Sequence, residues 1–448
     1  MDWQQLLSFQ TVGQKQPEGS SARSAFERDF DRIIFSHPFR RLQDKTQVFP
    51  LPEQDFVHTR LTHSLEVSSV GRSLGKLVGE RVLQKHPELK DHLSLFDFGA
   101  VVAAASLTHD LGNPPFGHTG ESAISDFFIS HSQGQLFKDK VSEQQWADLT
   151  DFEGNAQGFR ILNQPELGLK LTQASLAAFT KYPRGSSINS QDAKRKSQKK
   201  YGFFQSEQAL FSEIAKATGL NSLSASEAIW CRHPLAFLVE AADDICYHLI
   251  DLEDGCRLGL VSEETTIDLM SQIVGAQFKP KKLANVQGKE NRIGLLRAMS
   301  IGNLIKQSAQ VFLENEKDIL SGGFDRGLTD LIESKIILKE IIALSVEKIY
   351  RAPVVVETEA AGFEVLAGLL EVFNRAASRS IFERELFGKR DRTIMRLLPE
   401  VLQSKLQPDM IEDAYTMLRI TTDFVSGLTD RHAISLYRKI KGISIPGI

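Results

Sequence analysis

The sequence predicts an all-α fold, arranged as one large, mostly helical domain over residues 1–448. Apolar residues recur with the 3.6-residue period of amphipathic helices along most of the chain. β-Branched runs are rare, and Val354–Val356 is the only stretch of the C-terminal part that we would expect to be extended. The chain has no internal repeat and no clean linker, which favours a single domain although its length would allow two or three.

Composition excludes several classes of protein. The net charge is -4, which argues against a general nucleic-acid or anionic-membrane binder. The three cysteines are an odd number without metal-ribbon spacing, so we expect a reducing cytoplasm and no disulfide framework. Residues 1–10 do not resemble a signal peptide, and no apolar run approaches the ~20 residues of a membrane span.

The first half of the chain shows several helical patterns. The run FERDFDRIIF begins one helix at Phe26, and Pro50 and Pro52 mark a loop further on. We expect His63 to open an amphipathic helix whose apolar face carries Val67, Val70, Leu74, Leu77 and Val78. Leu95–His109 is apolar nearly all round. A buried parallel strand is the competing interpretation, but its length and alanine content favour a central helix.

Helical patterns continue to about residue 440. The stretch AISDFFI after Glu121 predicts a short helix, and residues 186–200 form a polar, basic, loop-like segment. Longer helices are predicted at Asp151–Leu162, Leu169–Thr180, Glu207–Thr218 and Pro234–Leu252. We interpret about 60–255 as the core of the domain and about 256–440 as a helical C-terminal subdomain.

The stretch His109–Glu121 combines chemistry-bearing side chains with a stiff turn. Two His, one Asp and one Glu lie within these thirteen residues, around a Gly/Pro segment that cannot continue a helix. A helix end with polar caps is the simple alternative. The pattern indicates a functional site only if other parts of the chain supply partners.

The predicted helix Pro234–Leu252 supplies such partners. Asp243, Tyr247 and Asp251 are spaced i, i+4 and i+8, so they line one stripe of a largely apolar helix. Buried acidic groups need a cation, a proton or a partner, whereas a solvent-facing stripe would need none. If the helices carrying His63, His109-Asp110 and Asp243 converge, two imidazoles and two carboxylates surround one point. This mixed set suits Mn, Fe, Ni, Zn or Mg ions without choosing among them.

Four blocks of sequence together resemble the bacterial deoxyguanosine triphosphate triphosphohydrolases, within the HD superfamily of metal-dependent phosphohydrolases. The blocks are RSAFERDFDRIIFSHPFRRLQDKTQVF, TRLTHSLEV, THDLGNPPFGHTGE and EAADDICYHLIDLEDG, in the family's order between residues 23 and 255. A weaker match lies at Ser426–Arg431. The chain is also similar, more distantly, to the vertebrate SAM-and-HD-domain dNTP hydrolase. The resemblance implies an HD-domain helical bundle.

The resemblance also implies roles for individual residues. It implies metal ligands at His63, His109, Asp110 and Asp243. His118 would act at the α-phosphate, and Glu121 would orient or charge it. Deoxyribose contacts would come from Gln47, Tyr247 and Asp251, and triphosphate contacts from Arg60, Lys181 and Lys200, with Lys199 as the alternative to Lys200. Asn113 stands where the vertebrate enzyme has a second histidine, so we give Asn113 no acid–base role.

The implied activity is metal-dependent hydrolysis of dGTP, or of other dNTPs, to deoxynucleoside and inorganic triphosphate. The cofactor would be a divalent ion, Mn²⁺ or Mg²⁺ before Ni, Co, Fe or Zn. Family members commonly form hexamers or other homo-oligomers and bind dNTP effectors, and single-stranded nucleic acid is a further candidate partner. The sequence carries neither a Walker A motif nor G-x-G-x-x-G, so it signals neither P-loop nor dinucleotide-fold chemistry.

Two alternatives remain at the level of sequence. Another HD phosphohydrolase could act on a nucleoside monophosphate, a cyclic nucleotide or an alarmone. Alarmone hydrolases carry Glu-Asp shortly after the His-Asp pair, where this chain has Gly112-Asn113-Pro114. A nucleotide sensor or single-stranded nucleic-acid binder could keep the fold without activity, but the intact set of site residues gives that interpretation no support.

Overall fold

The all-α prediction is confirmed by a computed structural model that describes residues 1–13, 23–49, 56–187 and 195–443. Within these ranges the chain forms 22 α-helices and no β-strand, with only isolated β-bridges between loops. The first eleven helices are α1 Trp3–Leu6, α2 Ala25–Ile34, α3 His37–Arg41, α4 Arg60–Lys85, α5 Leu95–Thr108, α6 Gly117–Ser130, α7 Ser132–Gln135, α8 Glu143–Thr150, α9 Gly154–Leu162, α10 Gln173–Phe179 and α11 Gln208–Ala217.

The second half of the chain continues the same architecture. Its helices are α12 Pro234–Arg257, α13 Glu263–Val274, α14 Pro280–Ala284, α15 Lys289–Glu314, α16 Glu316–Ser321, α17 Lys335–Lys348, α18 Pro353–Ile381, α19 Lys389–Met395, α20 Glu400–Lys405, α21 Ala414–Ser426 and α22 Asp430–Ile440. No helix in the described ranges is long and apolar enough to cross a membrane.

Helices α4 and α5 pack unusually closely because glycines line their interface. Gly71, Gly75 and Gly79 recur every four residues on α4 and face α5. A Cβ at Gly75 would lie 2.6 Å from the Phe98 carbonyl oxygen and 2.9 Å from the Gly99 Cα. The two backbones therefore touch without intervening side chains. This contact fixes the start of α4 relative to the end of α5.

Helix α12 packs against both α4 and α5, and also against α15. It is buried along most of its length, as its near-continuous apolar sequence predicts. The interface of α12 with α4, α5 and α15 is part of one hydrophobic core, to which α2, α10 and α13 also contribute. The beginning of α4, the end of α5 and the middle of α12 thus meet inside the protein.

A second hydrophobic core forms around α6 and α8. These helices pack with α18, α21 and α22 from the far end of the chain. The loop His109–Phe116 connects α5 in the first core to α6 in the second. This loop therefore lies between the two cores. A subdomain boundary near residue 255 stays a prediction.

The predicted helices are present, with shifted ends. Leu95–His109 is helical, and the strand interpretation is wrong. The helix expected to open at His63 begins one turn earlier, at Arg60, because the Thr59 side chain caps it. Pro50, Pro52 and residues 188–194 lie outside the described residues.

One expectation about local structure is wrong, and the structure adds a detail to another. Val354–Val356 lies in the first turn of α18 and is not extended. Pro353 is preorganised for the first helical position, and the helix-propensity penalty of valine is only some tenths of a kcal/mol. The predicted 186–200 loop also contains a 3₁₀ turn at Lys196–Gln198, in which Ser197 and Gln198 are buried.

We predict that Gly75→Ala destabilises the protein by about 1–3 kcal/mol, because the added methyl would meet backbone atoms that cannot move aside. Urea unfolding followed by circular dichroism measures this change. Gly294→Ala is the matched control, since nothing lies within 4 Å of a Cβ at that position in α15. The control should be stabilised by about 0.4–1 kcal/mol. Equal stabilities for the two variants would contradict the close packing.

Candidate metal and nucleotide site

Four of the predicted site residues come together where α4, α5 and α12 meet. His63 lies in the first turn of α4, and His109 and Asp110 follow the last turn of α5. One ligand atom from each of these three buried residues lies within 4.8 Å of the others. From α12, Asp243 Oδ1 lies 3.2 Å from His63 Nε2 and 3.3 Å from His109 Nε2. The predicted convergence of three helices is therefore present.

The donor set fits a divalent cation. His109 Nδ1 donates a hydrogen bond to the Ser106 carbonyl oxygen at 2.7 Å, which leaves Nε2 as the ring nitrogen that faces the cluster. This Nε2 is buried and has no hydrogen-bond partner. It faces the carboxylates of Asp110, at 3.4 Å, and Asp243. An unpartnered imidazole nitrogen between two carboxylates is the arrangement in which an ion would satisfy all three groups.

Burial and the neighbouring charges shift the pKa values of this cluster in opposite directions. Burial lowers the pKa of His109, but Asp110 and Asp243 together raise it to about 10, so without an ion the ring carries a proton that a bound cation would displace. Burial likewise raises the pKa values of both carboxyl groups, but neighbouring cations bring them well below the usual range. Both aspartates are therefore charged, as metal ligands must be.

Two of the predicted phosphate-binding cations lie directly against these carboxylates. Arg60 Nη1 donates to Asp110 Oδ2 at 2.6 Å. Lys181 Nζ donates to Asp243 Oδ2 at 2.7 Å. Both cationic side chains are largely buried, so they border the cluster instead of extending into solvent.

His118 and Glu121 form a pair on the first turns of α6. His118 Nδ1 donates to Glu121 Oε2 at 2.7 Å, so its Nε2 is free of the glutamate. The His118 side chain is 77% exposed, whereas Glu121 is buried and also accepts from the Gly154 amide at 2.8 Å. This hydrogen bonding and the Lys200 charge outweigh burial and lower the pKa of Glu121.

Lys200, not Lys199, faces the His118–Glu121 pair. Lys200 Nζ lies 3.2 Å from Glu153 Oε2 and 3.9 Å from Glu121 Oε2. The side chain of Lys199 is exposed. Of the two lysines that the sequence left open, Lys200 is the one with an ion pair to Glu121, the partner of His118.

A cavity of about 250 Å³ opens next to the cluster. It is lined by thirteen residues, Thr46, Gln47, Val48, Arg60, Phe116, Gly117, His118, Thr119, Tyr247, Tyr350, Val355, Thr358 and Glu359. Four of the predicted site residues are among them: Gln47, Arg60, His118 and Tyr247. The other predicted contacts, Lys181, Lys200 and Asp251, do not line it. Gln47 Oε1 is buried without a hydrogen-bond partner, so it is available to a donor.

Tyr350 is a site residue that the sequence did not reveal. Its ring stacks on Tyr247 with a centroid distance of 5.7 Å, and its hydroxyl donates to Asp251 Oδ2 at 2.7 Å. Asp251 is buried beneath the two tyrosines, and burial raises its pKa to about 8. Asp243 lies against the His cluster, Tyr247 lines the cavity and Asp251 is buried, so the solvent-facing alternative for this stripe is wrong. No spacing could have linked Tyr350 to a partner 99 residues away.

Two family profiles match the chain. The HD domain profile matches residues 60–149, which contain His63, His109, Asp110 and His118. The profile of the phosphohydrolase-associated domain matches residues 333–439, which include α17 to α21 and most of α22. The two matched segments are those that meet around the loop His109–Phe116.

Curated proteins align with the chain from end to end. A Synechocystis protein named deoxyguanosinetriphosphate triphosphohydrolase-like protein is 43% identical, with 99% of this chain and 100% of that protein aligned. A Pseudomonas aeruginosa protein of the same name is 37% identical, with both chains fully aligned. A Yersinia pestis protein named deoxyguanosinetriphosphate triphosphohydrolase is 31% identical over 98% of this chain and 99% of its own.

Proposed function

This chain belongs to the deoxyguanosinetriphosphate triphosphohydrolase-like family of HD-domain phosphohydrolases, and we propose that it hydrolyses dGTP to deoxyguanosine and inorganic triphosphate. Water would attack the α-phosphorus and the bond to the 5′-oxygen would break. One observation carries the proposal: the His/Asp cluster adjoins a cavity lined by both His118 and Arg60. A cation site, a proton carrier and a phosphate partner thus surround one space.

We propose that His63, His109, Asp110 and Asp243 hold one divalent cation, Mn²⁺ or Mg²⁺. A cation bound there would lower the pKa of water and polarise phosphoryl oxygens. The four side chains come from three helices that all pack against one another, and two of these helices, α4 and α5, touch through their backbones. The site is therefore preorganised and does not need to assemble around the ion.

His118 is the proposed proton carrier. Glu121 holds its Nδ1–H, so proton exchange with the substrate takes place at Nε2. The buried carboxylate fixes the tautomer and the orientation of the ring. The imidazole itself is exposed and lines the cavity, so it is accessible to a phosphate bound there.

The three cations serve the triphosphate in this proposal. Each of them forms an ion pair in the structure: Arg60 with Asp110, Lys181 with Asp243, and Lys200 with Glu153. A dNTP carries several negative charges, and these side chains would offset them. Gln47 and Tyr247 would contact the deoxyribose, with Tyr247 packed where a ribose 2′-hydroxyl would sit. Asp251, which does not line the cavity, would act on the sugar through the hydroxyl of Tyr350. The stacked Tyr350 supports Tyr247 in that position.

Assembly and location complete the proposal. A homo-oligomer, a hexamer by family resemblance, and regulation by a dNTP effector are proposed for this chain on that resemblance alone. We place the enzyme in the cytoplasm, where thiols stay reduced. Its three cysteines are all buried free thiols in the structure.

Product analysis tests the proposed reaction. We expect purified protein with Mn²⁺ or Mg²⁺ to convert dGTP to deoxyguanosine and intact triphosphate, separated by ion-exchange chromatography, and to act little on GTP. His118→Ala should keep metal binding and lose roughly 100-fold or more in turnover, the scale of acid–base catalysis. Monophosphate with pyrophosphate, or no product from any dNTP, would contradict the proposal.

The proposal includes a preference for guanine over the other bases, and Glu359 supports this preference. Glu359 is the only carboxylate among the thirteen residues that line the cavity. Guanine presents two adjacent donors, N1–H and the 2-amino group, which match one carboxylate, whereas adenine presents an acceptor at N1. Glu359 is exposed at the mouth of the cavity, where a base could approach it.

We predict that Glu359→Gln lowers the ratio of kcat/KM for dGTP to that for dATP by about 10-fold or more. The amide keeps one acceptor oxygen and loses the charge, and a hydrogen bond to a charged group contributes about 1.5–3 kcal/mol. Steady-state kinetics with both substrates measures the ratio. Glu357→Gln is the matched control, because Glu357 is exposed on the same helix and does not line the cavity. A ratio unchanged in both variants would remove Glu359 from base recognition.

A further inference from the structure

We propose that Asp430, the first residue of α22, is a positioning residue that holds the loop His109–Phe116 and, through it, His118. The proposal rests on the proposed function, since it concerns the geometry of that reaction. It assigns to the C-terminal helices a direct part in shaping the site. Asp430 touches neither the cavity nor the metal cluster.

Asp430 joins two segments that are distant in sequence. Its side chain is fully buried. Oδ1 accepts a hydrogen bond from the Phe116 amide at 3.1 Å, across 314 residues. Oδ2 accepts from the Thr46 amide at 2.9 Å and from the Thr46 hydroxyl. A buried carboxylate that satisfies three donors is costly to replace, because each donor would lose its partner.

The bond to Phe116 acts at a strained point of the chain. Phe116 has φ 65° and ψ 15°, the left-handed region that a non-glycine residue rarely adopts. It is the N-cap residue of α6, two positions before His118. Its ring packs on α18, where a Cβ at Gly362 would lie 3.0 Å from it. The C-terminal helices therefore hold both the backbone and the side chain of this turn.

Lys45 makes a second connection between the same segments. Its buried ammonium donates to the Asn113 carbonyl oxygen at 2.5 Å and to the Ser426 carbonyl oxygen at 3.1 Å. The Asn113 side chain in turn donates to Asp110 Oδ1 at 2.6 Å. The Lys45 carbonyl accepts from the Arg60 amide, at the start of α4. Residues 45–46 thus bind the C-terminal segment, the loop and α4 together.

A loop held at both Asn113 and Phe116 cannot shift independently of α22. Asp110 precedes these points and His118 follows them, so their separation is set by bonds to the C-terminal segment. Misplacing a reacting group by about 1 Å can cost about 100-fold in rate. Losing Asp430 should therefore affect turnover more than binding of the metal or the nucleotide.

Three variants test the proposal in the full-length protein. In Asp430→Ala we expect kcat for dGTP to fall roughly 10- to 100-fold, with KM and the Mn²⁺ dissociation constant unchanged within about twofold. Asp430→Asn should be intermediate, because its single oxygen cannot accept from both Phe116 and Thr46. Lys45→Met should lower kcat in the same way while keeping the buried volume.

Asp391→Asn is the matched control. Asp391 is buried in the same C-terminal region. It accepts hydrogen bonds from the Gly388 amide at 3.0 Å and from Arg379, and neither partner belongs to the loop His109–Phe116. We expect this variant to lose stability without losing turnover. If it lowers kcat as much as Asp430→Asn does, the effect is general destabilisation and the positioning role is overturned.

Hydrogen–deuterium exchange gives a readout that does not depend on activity. Peptides covering residues 113–119 should exchange faster in Asp430→Asn and Lys45→Met than in the wild type, and not in Asp391→Asn. Unchanged exchange and unchanged kcat in both Asp430→Asn and Lys45→Met would overturn the proposal. If the wild type forms no triphosphate from any dNTP, the proposed function fails, whereas the exchange data still decide whether Asp430 holds the loop.

Discussion

The burial of two carboxylates among three tightly packed helices is the constraint on which this structure depends. Asp110 and Asp243 lie where α4, α5 and α12 meet, and unpaired charges would be strongly destabilising there. Two imidazoles, Arg60 and Lys181 compensate them. The same groups that stabilise the cluster are the ones proposed to bind a cation and an anionic substrate. Stability and the proposed chemistry thus use one set of side chains.

The loop His109–Phe116 crosses from one hydrophobic core to the other, and this position explains its composition. Glycine and proline direct the chain out of α5, and the left-handed Phe116 turns it into α6. The first core places the His/Asp cluster, and the second places His118 and Glu121. The relative position of the two groups therefore depends on contacts between the cores, among which Lys45 and Asp430 make the polar ones at the loop itself.

Sequence reasoning found what short-range patterns encode. The period of α12 put Asp243 and Asp251 on one face, and the His-Asp pair at the end of α5 marked the cluster. Tyr350 was missed as a site residue, and the weaker match at Ser426–Arg431 gave Asp430 no role, because the hydrogen-bond partners of both residues lie about 100 to 400 residues away and no spacing reveals such contacts. The Val354–Val356 error has the opposite cause, since a local β-preference gave way to the helix start at Pro353.

Anomalous diffraction from crystals soaked in Mn²⁺ tests the central claim most directly. The account predicts one strong peak bounded by His63, His109, Asp110 and Asp243, at about 2.0–2.3 Å from imidazole nitrogen and carboxylate oxygen atoms. Lys181 Nζ should then lie farther than 2.7 Å from Asp243 Oδ2, since the ion takes part of that carboxylate. A peak elsewhere, or none in this cluster at saturating Mn²⁺, would contradict the claim that these buried carboxylates form a metal centre.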